Sequence, residues 1–561
     1  MTGSELPPTG RLLFVTAAPE SGRNRRLSAL LAQSFALETA TDFRLDPRLF
    51  DAVVLDGAAD GPEPRFLALL EQTARQGAPV LTLVPPRPLH PAVAEWLGVD
   101  AGEAHRLGEW FLSPNPASAL TARMPDEFAV VDAPVELAVT SPGYEAVLSV
   151  SVGFKDRVVM ARRPQGQGWL IAVGLATSER GLSSEETARV LSRSLRCPAE
   201  RTRQIGLAVL GYGPYGGMGL YHGRAAGATD GLEMVASADP DPARREAAER
   251  EFPGSRAYGG VEGLERAAEV DLVVVATPPV SHFELARRLL EAGKHVVLEK
   301  PMCLKVAEAD ELIRLAARGQ RLLTVHQSRR WDPDFRLLAR KVREGSIGEL
   351  FNVETFVGGF EHPCRAWHSE VEVSGGAVYD WGSHHLDWIL QLMGDFPSEL
   401  IAHGHKRVWR DVTNLDQVRV RMTWSDGREA EFLQSDVAAI RRPKFFLQGT
   451  LGTIAGYYRP LVFERLEPGY GYVGEPAHHA EAPVELTLAR YEEGAGLSET
   501  VLKPGAPERY GFHRNLADHL LSGEALAVTP ESARQVVALL EAAQISTDKG
   551  NVAVQLKRPG S

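Results

Sequence analysis

The sequence predicts an α/β protein organised around an open, doubly wound parallel sheet, and three stretches predict it. The apolar run Ile205–Leu210 breaks directly into Gly211-Tyr212-Gly213-Pro214-Tyr215-Gly216, which reads as strand, tight turn and helix start. Glu233–Ala238 is a second apolar run and closes on Asp239, about 20 residues after Gly216. Asp271–Thr277 is apolar without alternation, as in a strand buried on both faces. Three glycines at these offsets arise by chance in a chain with 53 of them, so the second strand and its acidic end decide the reading. The first glycine admits the turn, the second lets backbone N–H groups approach a pyrophosphate, and the third lets the helix pack on the strand. Gly211, Gly213, Pro214, Tyr215, Gly216 and Asp239 are therefore expected to hold a dinucleotide. A carboxylate at 239 bonds ribose hydroxyls and repels a 2′-phosphate, which predicts NAD over NADP, with Arg244 or Arg245 as the phosphate partner otherwise.

The length of 561 residues exceeds what one core organises and predicts several domains. A content of 44% hydrophobic and 24% charged residues is that of a soluble globular chain, and a net charge of −12 argues against a nucleic-acid partner. Cys197, Cys303 and Cys364 are far apart, which predicts neither a disulfide framework nor a cysteine zinc site. No run is long and apolar enough for a membrane span. The first residues lack a basic segment followed by an apolar core, and the positions after Arg25-Arg26 fit an amphipathic helix better than an export signal. A cytoplasmic protein is expected.

Taken in order, residues 10–198 alternate strand and helix: Leu12–Ala17, a helix over Arg26–Phe35, a strand over Phe50–Asp56, a helix over Arg65–Gln76 and a strand over Pro79–Val84. Val147–Phe154, Arg157–Arg162 and Trp169–Val173 then read as a meander turning at Gln165–Gly168. The order resembles ThuA-like domains, which share the flavodoxin-like fold of class I glutamine amidotransferases. No cysteine precedes Cys197, so a glutaminase nucleophile is missing; a docking or pocket-covering role is favoured over a hydrolase. Residues 198–203 are polar and aperiodic and read as a linker. The domain over 203–327 continues with helices Ala243–Glu251, His282–Ala292 and Val306–Arg318 and strands His295–Leu298 and Leu322–His326. Thr277-Pro278 follows a strand and so lies where such sheets bind ligands. Residues 328–561 open with a helix over Asp334–Glu344. Strands follow at Glu349–Gly358, Gln417–Trp424, Glu429–Ser435 and Lys444–Gly449, and the chain returns to helix at Pro530–Ser546. The alternation of Gln417–Trp424 marks a sheet with one covered face.

The glycine turn, Thr277-Pro-Pro-Val-Ser-His282, Ala292–Pro301 and Gly375–Asp387 together resemble the Gfo/Idh/MocA family, the glucose–fructose oxidoreductase and inositol dehydrogenase group, over residues 203–561. The resemblance implies a Rossmann NAD-binding domain followed by an α/β domain with a large open sheet, whose uncovered face makes subunit contacts in a homo-oligomer. It also implies hydride transfer between NAD and a sugar or polyol, with Thr277, Pro278, His282, Glu299, Lys300 and Arg330 around the cofactor.

Lys300 ends a parallel strand before a proline, and the family motif gives it a catalytic or substrate-binding role. Asp380 and His384 are four apart and share a face on a helix starting near Gly375-Gly376, two glycines expected to clear space for substrate and cofactor. Such pairs also occur as structural networks; the motif favours His384 as general base, Asp380 as its orienter and Lys300 as stabiliser of the alkoxide. Which of Lys300 and His384 removes the proton is open at this level. Arg365, Trp367, His368 and His385 are expected to contact substrate, with His362 nearby; Arg365 stands in for the arginine that related sequences carry where this one has His368. His362, Cys364, His368, His384 and His385 could also be read as a metal cluster, but their spacing is not a zinc pattern and no metal is expected. The alternative function is a non-catalytic NAD-binding sensor or assembly subunit, against which the joint presence of Lys300, Asp380 and His384 argues.

Overall fold

The structure is a computed structural model that describes residues 10–32, 35–57, 62–121, 124–152, 155–196, 204–213, 217–363, 367–458, 464–467, 471–474, 483–494, 496–505 and 508–557. They divide into two compact units: the residues up to 196 together with 518–524, and the rest from 204 on.

In the N-terminal unit, strands Ala36–Ala40, Arg11–Val15, Ala52–Asp56, Val80–Leu83 and Gly168–Val173 lie side by side and all parallel. Numbered along the chain their order is 2-1-3-4-5, the flavodoxin-like order. Alternation within Arg11–Val15 sends Leu12 and Phe14 into one core and Leu13 and Val15 into the other, so both faces are covered. Helix Pro64–Arg75 buries Phe66, Leu67 and Leu70 on one such face. The expected meander forms as Glu145–Val152, Lys155–Gln165 and Gly168–Val173; its last strand is also the fifth parallel strand. Gly108–Pro114 and Phe128–Asp132, not anticipated as strands, extend the sheet antiparallel.

In the second unit, Arg256–Tyr258, Leu232–Ala238, Ile205–Leu210, Leu272–Val275, His295–Leu298 and Leu323–Val325 form a six-stranded parallel sheet. Their order, 3-2-1-4-5-6, is that of the Rossmann fold, and it puts the switch point beside Ile205–Leu210. The β-branched run Leu272–Val275 is wholly buried, as a strand with helices on both faces must be.

A nine-stranded sheet follows. The only parallel neighbours are Leu350–Gly358 and Glu429–Ser435; the other pairs are antiparallel. Val418, Val420 and Met422 point inward beneath helices Gly382–Met393 and Pro530–Asp548, which supply Trp388, Leu540 and Ala543 to the core. The outward residues carry charge: Arg421 and Arg442 both pair with Glu431 at 2.8 Å. Inside, Lys444 is buried against Asp334 at 2.7 Å, and the same carboxylate accepts the Val484 N–H at 3.0 Å, which ties helix Pro333–Arg343 to the sheet. Among the described residues no helix is long and apolar enough to cross a membrane.

Candidate functional site

The dinucleotide turn begins where Ile205–Leu210 ends. Gly211 has φ +88° and Gly213 φ +34°, the backbone region that favours glycine. A Cβ on Gly211 would lie 2.7 Å from Thr277 Cγ2, so the turn packs directly on the loop after Leu272–Val275. A Cβ on Gly213 would meet nothing closer than 4.0 Å, which leaves open space beside the turn. Pro214, Tyr215 and Gly216 lie outside the described residues, and helix Met218–Ala228 follows.

Asp239 is buried at the end of Leu232–Ala238, with Oδ2 accepting the Gly213 N–H and Oδ1 the Asp241 N–H, both at 2.9 Å. It thus fastens the turn, and each carboxylate oxygen keeps a second lone pair that a ribose hydroxyl could use. The open space, the positive-φ glycines and this acid fit a dinucleotide. Arg245 donates instead to the carbonyls of Asp239 and Pro240, at 2.8 and 2.9 Å.

His282 differs from expectation. Its ring is fully buried, with Nδ1 2.8 Å from the Pro301 carbonyl and Nε2 2.7 Å from the Thr277 carbonyl. Its one N–H donates to one of the two carbonyls while the other nitrogen faces the second, so the ring is wedged between two strand-end loops with both nitrogens against backbone.

Beyond the next strand, His295–Leu298, Lys300 Nζ donates to Asp380 Oδ1 at 2.5 Å, across 80 residues of sequence. Lys300 and Asp380 are partly exposed, whereas His384 is buried. The orienting bond from Asp380 to His384 is not formed. Asp380 closes the short helix Ala377–Asp380, His384 sits in the next helix Gly382–Met393, and His384 Nδ1 is buried without a hydrogen-bond partner among the described residues. Burial, and then the Lys300 charge, hold the His384 imidazole well below its ordinary pKa, so it is neutral. His368 stacks on Trp367 with ring centroids 3.6 Å apart, and burial pushes its pKa down to about 4. The charges of Asp380 and Lys300 both act on it, and the Lys300 charge acts on His384, so these two imidazoles lie within electrostatic reach of the Lys300–Asp380 pair.

Gly375 and Gly376 have φ +89° and +118°, but a Cβ on either would meet Leu304 or Gln544. They serve the turn and its packing, not an open site. Three other expected residues are also placed elsewhere. Arg330 donates to both oxygens of Asp387, at 2.8 and 2.6 Å, and to Ser532 and the Ala527 carbonyl, which commits it to structure instead of a cofactor. His385, one residue and so about 100° round the helix from His384, packs between Trp388 and Phe432 in the sheet core instead of facing substrate. Glu299 turns inward, with Oε1 2.9 Å from His222 Nε2 and 2.7 Å from His326 Nδ1. Arg365 and Cys364 lie outside the described residues, His362 pairs with Asp411 at 2.9 Å, and among the described residues His362, His368, His384 and His385 do not form a group of metal ligands.

Two groups were missed. Arg329, the neighbour of the expected Arg330, lies over the Trp381 ring at 5.4 Å, and its charge bears on His384. Asp436 follows strand Glu429–Ser435, and burial together with the Asp380 and Asp416 carboxylates pushes its pKa up to about 7. The doubled arginine in Ser328–Trp331 was a signal for the first; nothing local marks the second.

Residues 205–327 match the oxidoreductase family with NAD-binding Rossmann fold, and residues 335–455 match the GFO/IDH/MocA C-terminal domain. The chain is 27% identical over 350 residues to scyllo-inositol 2-dehydrogenase (NADP(+)) of Bacillus subtilis (strain 168), an alignment covering 61% of this chain and 94% of the relative. It is 27% identical over 300 residues to inositol 2-dehydrogenase of Rhizobium meliloti (strain 1021), covering 50% and 88%. Among solved structures, an NAD-binding protein from Listeria innocua aligns at 28% identity and TM-score 0.53 over 63% of this chain and 97% of its own. An oxidoreductase from Bacillus cereus, at 19% identity and TM-score 0.54 over 64% and 100%, shares the fold.

Proposed function

We propose, from the matches of residues 205–327 and 335–455 to the two domains of the Gfo/Idh/MocA oxidoreductases, that this protein moves a hydride between a nicotinamide cofactor and a secondary hydroxyl of a sugar, inositol or glycoside. The reading rests on one observation: Lys300 Nζ lies 2.5 Å from Asp380 Oδ1 at the C-terminal edge of the Rossmann sheet, and its charge acts on a neutral, buried His384. A bound cofactor would supply the hydride acceptor at its nicotinamide ring, with the 211–213 turn and Asp239 holding the adenosine half and favouring NAD over NADP.

Oxidising a secondary alcohol requires the hydroxyl proton to leave as the hydride does. His384 accepts that proton. The Lys300 ammonium faces the oxygen on which negative charge grows, and Asp380 fixes the ammonium in place. Asp380 is thus a positioning residue for the lysine instead of the histidine. Trp367 and His368 wall the substrate, with Arg365 as a further contact. Removal of water strengthens each of these charge interactions.

The N-terminal unit is ThuA-like on this reading, supported by its 2-1-3-4-5 strand order, and it lacks glutaminase chemistry because residues 10–196 contain no cysteine. The outer face of the nine-stranded sheet is where copies of the chain would meet. The test is a panel of inositols, sugars and glycosides assayed for NAD and NADP reduction, with the best substrate repeated on Lys300→Ala and His384→Ala. Turnover that collapses in both variants supports the reading; wild-type-like turnover in both overturns the mechanism. Tight cofactor binding with no turnover of any polyol favours the sensor.

A further inference from the structure

Behind Lys300, three buried histidines converge from distant parts of the second unit. His222 lies on helix Met218–Ala228, His326 directly after strand Leu323–Val325, and His513 on helix Gly511–Ser522. Two are wholly buried and His326 is 3% exposed. One imidazole nitrogen from each falls within 4.8 Å of the others. Glu299 Oε1 sits 2.9 Å from His222 Nε2 and 2.7 Å from His326 Nδ1.

That shared oxygen fixes the tautomers. A carboxylate only accepts, so His222 carries its proton on Nε2 and His326 on Nδ1, which leaves His222 Nδ1 and His326 Nε2 as bare lone pairs. His326 Nε2 is buried with no hydrogen-bond partner among the described residues. His222 Nδ1 faces His513 Nε2 at 2.9 Å. If His513 donates there, its Nδ1 becomes a second buried lone pair without a donor. Leaving such atoms unsatisfied costs roughly 1–3 kcal/mol each.

From this geometry we propose that His222, His326 and His513 form a site for a divalent transition metal of the zinc class, with Glu299 as the outer carboxylate that orients two of the ligands. Metal-bound histidines characteristically donate their other N–H to a carboxylate, and Glu299 receives two such bonds. Zinc–nitrogen bonds of about 2.0–2.1 Å in a tetrahedron separate ligand atoms by about 3.3 Å. The 2.9 Å pair therefore needs to part by only a few tenths of an ångström. Three neutral imidazoles and no first-shell carboxylate suit zinc, cobalt or nickel and exclude magnesium and calcium. The rings of Tyr221, Tyr510 and Phe512 enclose the cluster in an apolar shell. The site would be structural, and it would brace the strand end that carries the chemistry, because the Lys300 N–H donates to Glu299 Oε2 at 3.1 Å. These are not the histidines that the sequence suggested as a cluster.

The test uses the full chain, purified without a metal-affinity step and stripped with chelator, then titrated with Co²⁺ alone. One equivalent should bind and give the visible d–d absorption of a four-coordinate site with three nitrogen ligands and one solvent oxygen, and Zn²⁺ should displace it and raise Tm. His326→Gln and His513→Gln should abolish the absorption and the Tm response while NADH fluorescence titration still reports a folded Rossmann unit. Glu299→Gln should weaken Co²⁺ binding roughly 10- to 100-fold. No saturable Co²⁺ binding by the wild-type chain overturns the proposal, and so does an undiminished absorption in both histidine variants.

Discussion

The two units of the chain furnish their strand ends in different ways. In the N-terminal unit, the polar groups past Arg11–Val15 and Ala52–Asp56 bond mostly to one another, although Asn24 Oδ1 is buried without a partner among the described residues. Thr16 Oγ1 donates to Asp56 at 2.9 Å, Asn24 donates to Thr16 at 2.8 Å and to the Ala18 carbonyl at 2.9 Å, and Arg23 pairs with Asp56 at 3.4 Å. In the second unit, His384 Nδ1 is buried without a partner among the described residues, and the carboxyl of Asp436, past strand Glu429–Ser435 of the nine-stranded sheet, is crowded by two others. The first edge is largely closed by its own network, whereas the second unit keeps an unshared lone pair and a crowded acid. Shared α/β layering thus says little about activity; the state of the polar groups at the strand ends says more.

The contrast breaks most decisively at the residues proposed to carry the reaction. His384→Ala and Lys300→Ala should each lower kcat roughly 10²- to 10⁴-fold with cofactor affinity little changed, as steady-state rates and NADH titration would report. Because the His384 pKa is held well below its ordinary value, kcat/KM in the wild type should stay level as pH falls through 6.5. An acid limb at the ordinary histidine pKa would remove His384 from the role of base.

The next effect is on stability. The pKa of Asp436 is raised from 3.8 to about 7, so between those values the folded state binds the proton that the unfolded state releases, and stability falls as pH climbs through that window. Asn does not titrate. Asp436→Asn should therefore gain on the wild type from pH 4 to pH 8, by on the order of 4 kcal/mol at 1.36 kcal/mol per pKa unit. Urea unfolding at the two pH values measures it, and an unchanging difference would mean that Asp436 ionises normally.

At the closed edge the expectation reverses. Thr16→Val removes one link of a mutual network, so it should cost roughly 1–3 kcal/mol in unfolding of the N-terminal unit and leave kcat within about twofold of wild type. A large loss of kcat at constant stability would give that edge a part in the reaction. The smallest effect concerns the cofactor. NADH should bind about tenfold tighter than NADPH, or 1.4 kcal/mol, through the carboxylate of Asp239. Tighter NADPH would hand the ribose site to an arginine, and since Arg245 is occupied with two carbonyls, Arg244 becomes the candidate.

What the sequence disclosed follows from how local each signal is. Five of the six Rossmann strands follow from runs of residues close together in the chain, and the structure has them within a few residues of their expected bounds; the short strand Arg256–Tyr258 carries no such run and was not read. Lys300 was legible from its position at a strand end before proline. The partner of Asp380 was not, because helical spacing suggests a neighbour four residues on while the actual partner is Lys300, 80 residues back. His384 and His385 are neighbours in sequence, and a single step round the helix leaves one under the influence of the Lys300 charge and puts the other into the core against Phe432. Asp436 and the His222, His326 and His513 group come together only when separate strands and helices pack, so no spacing announces them.

The contact made by His282 couples two loops. Since one imidazole lies against the carbonyls of both Thr277 and Pro301, the segments after two neighbouring strands are expected to hold and release as a unit. In the folded chain their backbone freedom, roughly 1–2 kcal/mol per residue, is then already given up without a ligand. Capture of a cofactor then needs little local ordering, which favours fast association with a small entropic penalty. Amide exchange near Ala276 and near Met302 should accordingly slow or quicken as a pair.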